Sequence, residues 1–201
     1  MSTRLSLPGR QSLTATLDEA SGRSVVVACP PHPQMSGDRH DGRLQAVSDD
    51  LLGRGVDCLR FDYGPWDEGD GEQDDVRQAL AWATDRYDRV GLFGFSFGAS
   101  MALLAAVPEE HSVSPGVVSV VAPAAQVTGK TDVRDAVSAV ECPLQVVYGE
   151  RDETADWKPV VDRARALGHR VDSLPADHFF VGQQQKLATM VGSFLATHLR
   201  E

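Results

Sequence analysis

Residues 90–106 read VGLFGFSFGASMALLAA and carry the clearest structural signal in the chain. The first six residues are an apolar run typical of a buried strand, and the last eight are small or helix-forming residues that predict a helix. Ser96 lies between them, with Gly94 and Gly98 two residues to either side. A serine on a sharp strand-to-helix turn needs such flanks, because bulkier side chains would clash there. The stretch therefore predicts a nucleophile elbow at Ser96.

Short apolar runs alternate with helical stretches on both sides of this turn. The runs predict a hairpin at 5–7 and 13–17 and strands at 24–29, 56–61, 90–95, 116–122, 144–148 and 170–174. Further helices are predicted at 41–52, 74–87, 132–140, 156–167 and 183–199, with a polar loop at 62–72. This alternation predicts an α/β fold, a mostly parallel twisted sheet of about eight strands with helices on both faces. The gap between residues 122 and 144 is too short to hold a large lid.

Length and composition narrow the class of protein. A chain of 201 residues suits a single domain, 1–201. The net charge of −10 disfavours nucleic acid and anionic membranes as partners. No segment is apolar and long enough to span a bilayer, and residues 1–8 lack a signal-peptide core, so a cytoplasmic location is expected. Cys29 and Cys58 lie in strand-like runs and are predicted to be buried free thiols, with Cys142 as an unpaired third.

An acid and a base follow Ser96 in the chain. A serine hydroxyl is a poor nucleophile unless a base lies within hydrogen-bond reach and a further group orients that base. Asp152 comes just after the strand at 144–148, and His178 lies between the last strand and the last helix. The carboxyl ends of parallel strands meet at one edge of a sheet. The order Ser, Asp, His therefore predicts a catalytic triad of Ser96, Asp152 and His178.

Backbone N–H groups are predicted to stabilise the oxyanion. One is that of Phe97, directly after the nucleophile. The other is expected from the loop after the strand at 24–29, where prolines have no N–H to donate. Gln34 is the first residue after those prolines that can donate, so it is the predicted second donor.

These motifs together resemble a known family. The segments Pro31-His32-Pro33 with Gly37, 94–99, Gly149-Glu150-Arg151-Asp152 and 177–180 are similar to those of small lid-less α/β-hydrolases related to dienelactone hydrolases. The resemblance covers nearly the whole chain and implies an α/β-hydrolase fold, a Ser-Asp-His triad and no metal or organic cofactor. Dienelactone hydrolases themselves use a cysteine nucleophile, so their substrate is not expected here. Ser36-Gly37 also replaces a Gly-Gly pair that is common in relatives.

Other residues near the predicted site can be interpreted either as part of a substrate pocket or as ordinary packing. His32, Trp66, Trp157 and Phe179 are candidate walls of a substrate pocket, and simple packing is the alternative for each. The group of His32, Asp38, His40 and Asp41 fits no metal-ligand spacing, so loop and pocket-wall roles are expected and no metal site is predicted.

The function expected from the sequence is that of a serine hydrolase. Its substrate would be a small carboxylic ester or thioester, cleaved through an acyl-enzyme, and its partner a small acyl compound. The alternative is a non-catalytic α/β-hydrolase scaffold that binds a ligand or a protein. A complete set of triad residues favours the enzyme, since a binding module needs none of them.

Overall fold

The computed structural model describes residues 1–9, 11–109, 112–127 and 131–200. The strands are β1 Ser2–Leu7, β2 Leu13–Asp18, β3 Ser24–Cys29, β4 Asp57–Phe61, β5 Arg89–Phe95, β6 Val117–Val121, β7 Gln126–Val127, β8 Thr131–Asp132, β9 Leu144–Gly149 and β10 Arg170–Leu174. The helices are α1 Gly42–Gly53, α2 Asp70–Thr84, α3 Phe97–Ala105, α4 Val133–Ala139, α5 Lys158–Ala166 and α6 Gln184–His198. A short 3₁₀ helix spans Pro33–Met35.

Eight of the strands form one sheet in the order β1-β2-β4-β3-β5-β6-β9-β10. The β1–β2 and β2–β4 pairs are antiparallel, and the other pairs are parallel. Strands β3 and β5 lie side by side at the centre, with Cys29 opposite Gly94. The carboxyl ends of β3, β5 and β9 therefore reach the same edge of the sheet. The predicted mostly parallel sheet of about eight strands is confirmed.

Helices cover both faces of the sheet because alternate strand residues point to opposite sides. Val25 and Val27 belong to an apolar cluster with residues of α2, α3, α4 and α5. Val26 and Ala28 belong to a second cluster with residues of α1 and α6. Cys29 and Cys58 are buried free thiols, as predicted.

Two local predictions need correction. Helix α2 begins at Asp70, four residues earlier than predicted, because the buried Glu72 carboxylate accepts from the N–H groups of Asp67 (3.0 Å) and Gly69 (2.8 Å) and so closes its first turn. The antiparallel pair β7–β8 was not predicted, since two-residue strands leave no periodic pattern. In the described residues, only β7, β8 and α4 lie between β6 and β9, so this connection holds no large lid. None of the described helices is long and apolar enough to cross a membrane.

Candidate active site

Ser96 lies at the turn between β5 and α3 in a strained backbone conformation. Its φ of 57° and ψ of −120° are unusual for a residue that is not glycine. A Cβ on Gly94 would lie 2.2 Å from the Gly98 carbonyl oxygen, and a Cβ on Gly98 would lie 2.3 Å from the Cys29 carbonyl oxygen. Both obstacles are backbone atoms that cannot rotate away. The predicted need for glycine on both sides of Ser96 is confirmed.

The three predicted triad side chains lie in one hydrogen-bonded row. Ser96 Oγ is 2.9 Å from His178 Nε2, and His178 Nδ1 is 2.8 Å from Asp152 Oδ2. Because a carboxylate only accepts, Nδ1 carries the proton towards Asp152 and Nε2 is left to accept from the Ser96 hydroxyl. Asp152 and His178 are 7% and 5% exposed, so water is largely excluded from this pair. The arrangement can remove a proton from Ser96 and stabilise the imidazolium that results.

Backbone groups fix the acid. Asp152 Oδ1 accepts from the N–H groups of Thr154 (2.8 Å) and Ala155 (3.1 Å), which leaves Oδ2 for His178. The Asp152 carbonyl accepts from the Trp157 indole N–H at 3.0 Å, and the Trp157 ring stacks on Tyr148 at 4.3 Å. Trp157 therefore supports the acid loop and does not line the cavity, which corrects the expected pocket role.

The loop that carries His178 is close to the loop that carries Asp152. A Cβ on Gly149 would lie 2.6 Å from the Ala176 carbonyl oxygen, so this glycine permits the close approach. Asp177 accepts from the N–H of Phe179 at 3.1 Å and orients its own loop, not the imidazole. The Phe179 ring meets the His178 ring edge-on at 5.3 Å from outside the cavity and is half exposed. Phe179 was a candidate wall of the substrate pocket, but it is not among the residues that line the cavity.

The loop after β3 is organised around His32. His32 Nδ1 accepts from the N–H of Gln34 at 3.2 Å, and the His32 carbonyl accepts from Met35 (2.9 Å) and Gly37 (3.0 Å). The Gln34 N–H is thus engaged, and Gln34 is exposed and is not among the residues that line the cavity, which argues against its predicted part as oxyanion donor. Among the described residues, the N–H of His32 itself has no acceptor.

Aromatic rings enclose the His32 side chain. Its ring lies 4.6 Å from the Trp66 ring and 4.8 Å from the Phe97 ring. This burial lowers the pKa of His32 below its ordinary value, and the nearby Glu72 carboxylate opposes the shift only in part. Trp66 therefore packs behind His32, and it does not line the cavity itself.

A cavity of about 180 Å³ opens beside Ser96. Its lining consists of Ser96, His178, His32 and Phe97, the apolar side chains of Met35, Ala124, Val127 and Ala155, and the polar side chains of Ser100, Gln126 and Thr154. The Ser100 hydroxyl both donates to the Ala124 carbonyl and accepts from the Ala124 N–H, each at 3.1 Å, and so fixes the wall of the cavity. Of the four pocket residues predicted from the sequence, only His32 lines this cavity.

Several residues that line the cavity were not predicted from the sequence, and some of them could have been. Ser100 is one helical turn beyond Ser96, and Thr154 and Ala155 follow Asp152 directly, so their positions could be read from the motifs. Ala124, Gln126 and Val127 carry no such signal, because only the crossover after β6 brings them to the site. Within the described residues, no group of three or more His, Cys, Asp or Glu side chains could hold a metal ion.

No protein-family model and no curated protein matches the chain. Solved structures do match it. A lid-less α/β serine hydrolase from Xanthomonas campestris is 28% identical, with 100% of this chain and 96% of that chain covered and a TM-score of 0.82. An esterase from Pyrococcus furiosus is 17% identical (99% and 92% covered, TM-score 0.83), and a dienelactone hydrolase from Anabaena variabilis is 19% identical (100% and 99% covered, TM-score 0.79).

At 17% and 19% identity, the esterase and the dienelactone hydrolase show only that the fold is shared. Together the three confirm the predicted α/β-hydrolase fold without a large lid, and the predicted resemblance to lid-less α/β-hydrolases related to dienelactone hydrolases.

Proposed function

We propose that this protein is a serine hydrolase that cleaves a short-chain carboxylic ester or thioester through an acyl-enzyme on Ser96. The observation that carries the proposal is the continuous row from Ser96 Oγ to His178 Nε2 (2.9 Å) and from His178 Nδ1 to Asp152 Oδ2 (2.8 Å). The hydrolases and esterases that share its fold support the same reaction class.

The reaction has two halves. In the first, Ser96 Oγ attacks the carbonyl carbon while His178 Nε2 takes its proton, and the tetrahedral intermediate collapses as His178 returns that proton to the leaving oxygen or sulfur. In the second, His178 takes a proton from a water molecule as that water attacks the acyl carbon, and it then gives the proton to Ser96 Oγ as the acyl–oxygen bond breaks and the acid leaves. Asp152 keeps the imidazole in the tautomer that can accept, and it stabilises the imidazolium in both halves.

Two backbone N–H groups would hold the oxyanion. Phe97 is at the N-terminus of α3, where the first N–H groups have no partner within the helix. As the second donor we propose the backbone N–H of His32, in place of the N–H of Gln34 that the sequence predicted. The Gln34 N–H already donates to His32 Nδ1, whereas the His32 N–H has no acceptor among the described residues and His32 lines the cavity. Donors placed in this way favour the charge that develops in the transition state.

The cavity favours a short, uncharged acyl group. Its volume of about 180 Å³ is below the roughly 300–1,000 Å³ of pockets that take drug-sized ligands, so the space suits a small acyl group. None of the described residues in the lining is Lys, Arg, Asp or Glu, which favours an uncharged acyl group over a charged one. Short alkanoyl esters and thioesters meet both conditions.

The test is hydrolysis of p-nitrophenyl esters and acyl thioesters of increasing chain length by the folded wild type. We expect activity on short chains, a loss of kcat/KM by roughly a thousandfold or more in Ser96→Ala, and no loss in Ser138→Ala, which removes an exposed hydroxyl on α4. A fluorophosphonate should label the wild type once per chain. Absence of both turnover and labelling at neutral pH, at low and at high salt, would contradict the proposal and favour a ligand-binding scaffold.

A further inference from the structure

We infer that Arg43, at the start of α1, is a positioning residue for His178. The inference rests on the proposed function, since it concerns the base of that reaction. Arg43 lies outside the cavity lining and touches neither Ser96 nor the substrate space. It acts on His178 through two aromatic rings, those of Phe95 and Phe179.

The Arg43 guanidinium and the His178 ring contact the same two phenylalanines. Arg43 Cζ lies 4.4 Å from the centre of the Phe95 ring and 5.9 Å from that of the Phe179 ring. The His178 ring centre lies 5.4 Å from Phe95 and 5.3 Å from Phe179. Guanidinium groups are attracted to ring faces within about 6 Å, so Arg43 holds both rings in place. The two rings in turn limit how far the imidazole can tilt.

Asp41 fixes the guanidinium itself. Arg43 Nε donates to Asp41 Oδ1 at 2.9 Å, and Arg43 Nη2 donates to Asp41 Oδ2. The side chains of Arg43 and Asp41 are only 16% and 9% exposed, so solvent screens this two-point pair weakly. Asp41 is also the N-cap of α1 and accepts from the N–H groups of Arg43 (2.9 Å) and Leu44 (3.4 Å). The guanidinium is therefore anchored to a helix that packs in the core.

Two phenylalanines that follow His178 in its loop have unusual surroundings or backbone geometry. Phe179 is half exposed, although large apolar side chains usually turn inward. Its neighbour Phe180 is fully buried and adopts a φ of +53°, an uncommon conformation for a bulky residue. The contact with Arg43 supplies the half-exposed ring with a cationic partner. Loss of that contact would free Phe179 and loosen the wall that it forms against His178.

The experiment compares three variants with the wild type in hydrolysis of a short p-nitrophenyl ester. Arg43→Met removes the charge and keeps most of the length, Arg43→Lys keeps the cation, and Arg54→Met removes the other ion pair of α1, that with Asp50. A small misplacement of the base slows the chemical step strongly, so we expect Arg43→Met to lower kcat about tenfold or more. The KM should stay within about twofold, because Arg43 is outside the cavity. Arg43→Lys should recover part of the kcat, and Arg54→Met should leave it unchanged.

A second variant keeps the test decisive if Arg43→Met folds poorly. Phe179→Leu removes a half-exposed ring and should lower kcat in the same way. In that background Arg43→Met should cost less than it does alone, because one of the two ring contacts through which Arg43 acts is already lost and only that with Phe95 remains. An unchanged kcat in folded Arg43→Met, or an equal fall in kcat in Arg54→Met, would overturn the inference. A wild type without turnover or fluorophosphonate labelling would instead refute the proposed function, and with it the inference.

Discussion

Replacing Gly98 by alanine tests the packing that holds the elbow against the loop after β3. The new Cβ would lie 2.3 Å from the Cys29 carbonyl oxygen and 2.4 Å from that of Pro30, whereas ordinary contacts begin at 3.4 Å. The two segments must therefore separate by about 1 Å, because both obstacles are backbone atoms. Overpacking of this kind destabilises a protein by about 1–3 kcal/mol.

The same movement should reduce activity more than stability. Cys29 and Pro30 lead directly to His32, so a separation of 1 Å carries one proposed oxyanion donor away from the other, at Phe97. Loss of one such donor lowers kcat by roughly 10²–10³. Ester hydrolysis and denaturant unfolding measure the two effects.

Gly53→Ala is the matched control for Gly98→Ala. No atom lies within 4 Å of the Cβ it would add at the end of α1, so it should keep full activity and gain up to about 1 kcal/mol of stability. Wild-type kcat and stability in Gly98→Ala would show that close packing at Gly98 does not hold the elbow against the loop after β3.

Three further predictions concern the acid, the loop histidine and the cavity wall. Asp152→Asn should lower kcat by roughly 10³–10⁴ while the fold persists by circular dichroism, whereas Asp177→Asn should cost only a few-fold; equal effects would contradict the assigned roles. Burial lowers the pKa of His32 below 6.5, so the unfolded chain binds its proton more readily and stability falls as the pH drops below that value. His32→Asn, whose side-chain oxygen can still accept from the Gln34 N–H, should lose less unfolding free energy than the wild type between about pH 7.5 and about pH 5.5; identical pH slopes would argue against this linkage. Ala124→Val should lower kcat/KM for butanoyl more than for acetyl esters, because it adds two methyl groups to the cavity wall, and an unchanged chain-length profile would show that acyl groups bind elsewhere.

The meeting of Ser96, Asp152 and His178 could be predicted because it follows from topology. Each residue comes directly after a strand of one parallel sheet or in the loop that follows it, and such loops gather at one edge. The elbow also carries its own local signal, since a strand, a serine between two glycines and a helix of small residues all agree. The three residues could therefore be placed together from the order of the strands alone, without knowledge of any individual long-range contact.

The oxyanion loop could not be predicted in the same way. The rule that prolines lack an N–H pointed to Gln34, but it ignores side-chain acceptors. In the structure the ring of His32, two residues earlier, takes that N–H and closes a 3₁₀ turn over Pro33–Met35. Which amide stays free depends on this local hydrogen bond, which composition and spacing do not reveal.

The large aromatic residues show a further limit of sequence reasoning. Trp66, Trp157 and Phe179 all lie near the site, but none lines the cavity. Their directions are set by partners elsewhere: His32 for Trp66, the Asp152 carbonyl for Trp157 and Arg43 for Phe179. Small residues such as Ser100, Ala124 and Ala155 form part of the cavity wall instead, and they carry little sequence signal of their own.

Trapping the acyl-enzyme would show directly whether Ser96 is the nucleophile. The folded wild type and Ser96→Ala would be mixed with a short p-nitrophenyl ester, quenched in acid during turnover, digested and analysed by mass spectrometry. We predict one added acyl group on the peptide that carries Ser96 in the wild type, and none in the variant. An ester that turns over with no acyl group on Ser96, or with the acyl group on another residue, would contradict the claim that Ser96 is the nucleophile.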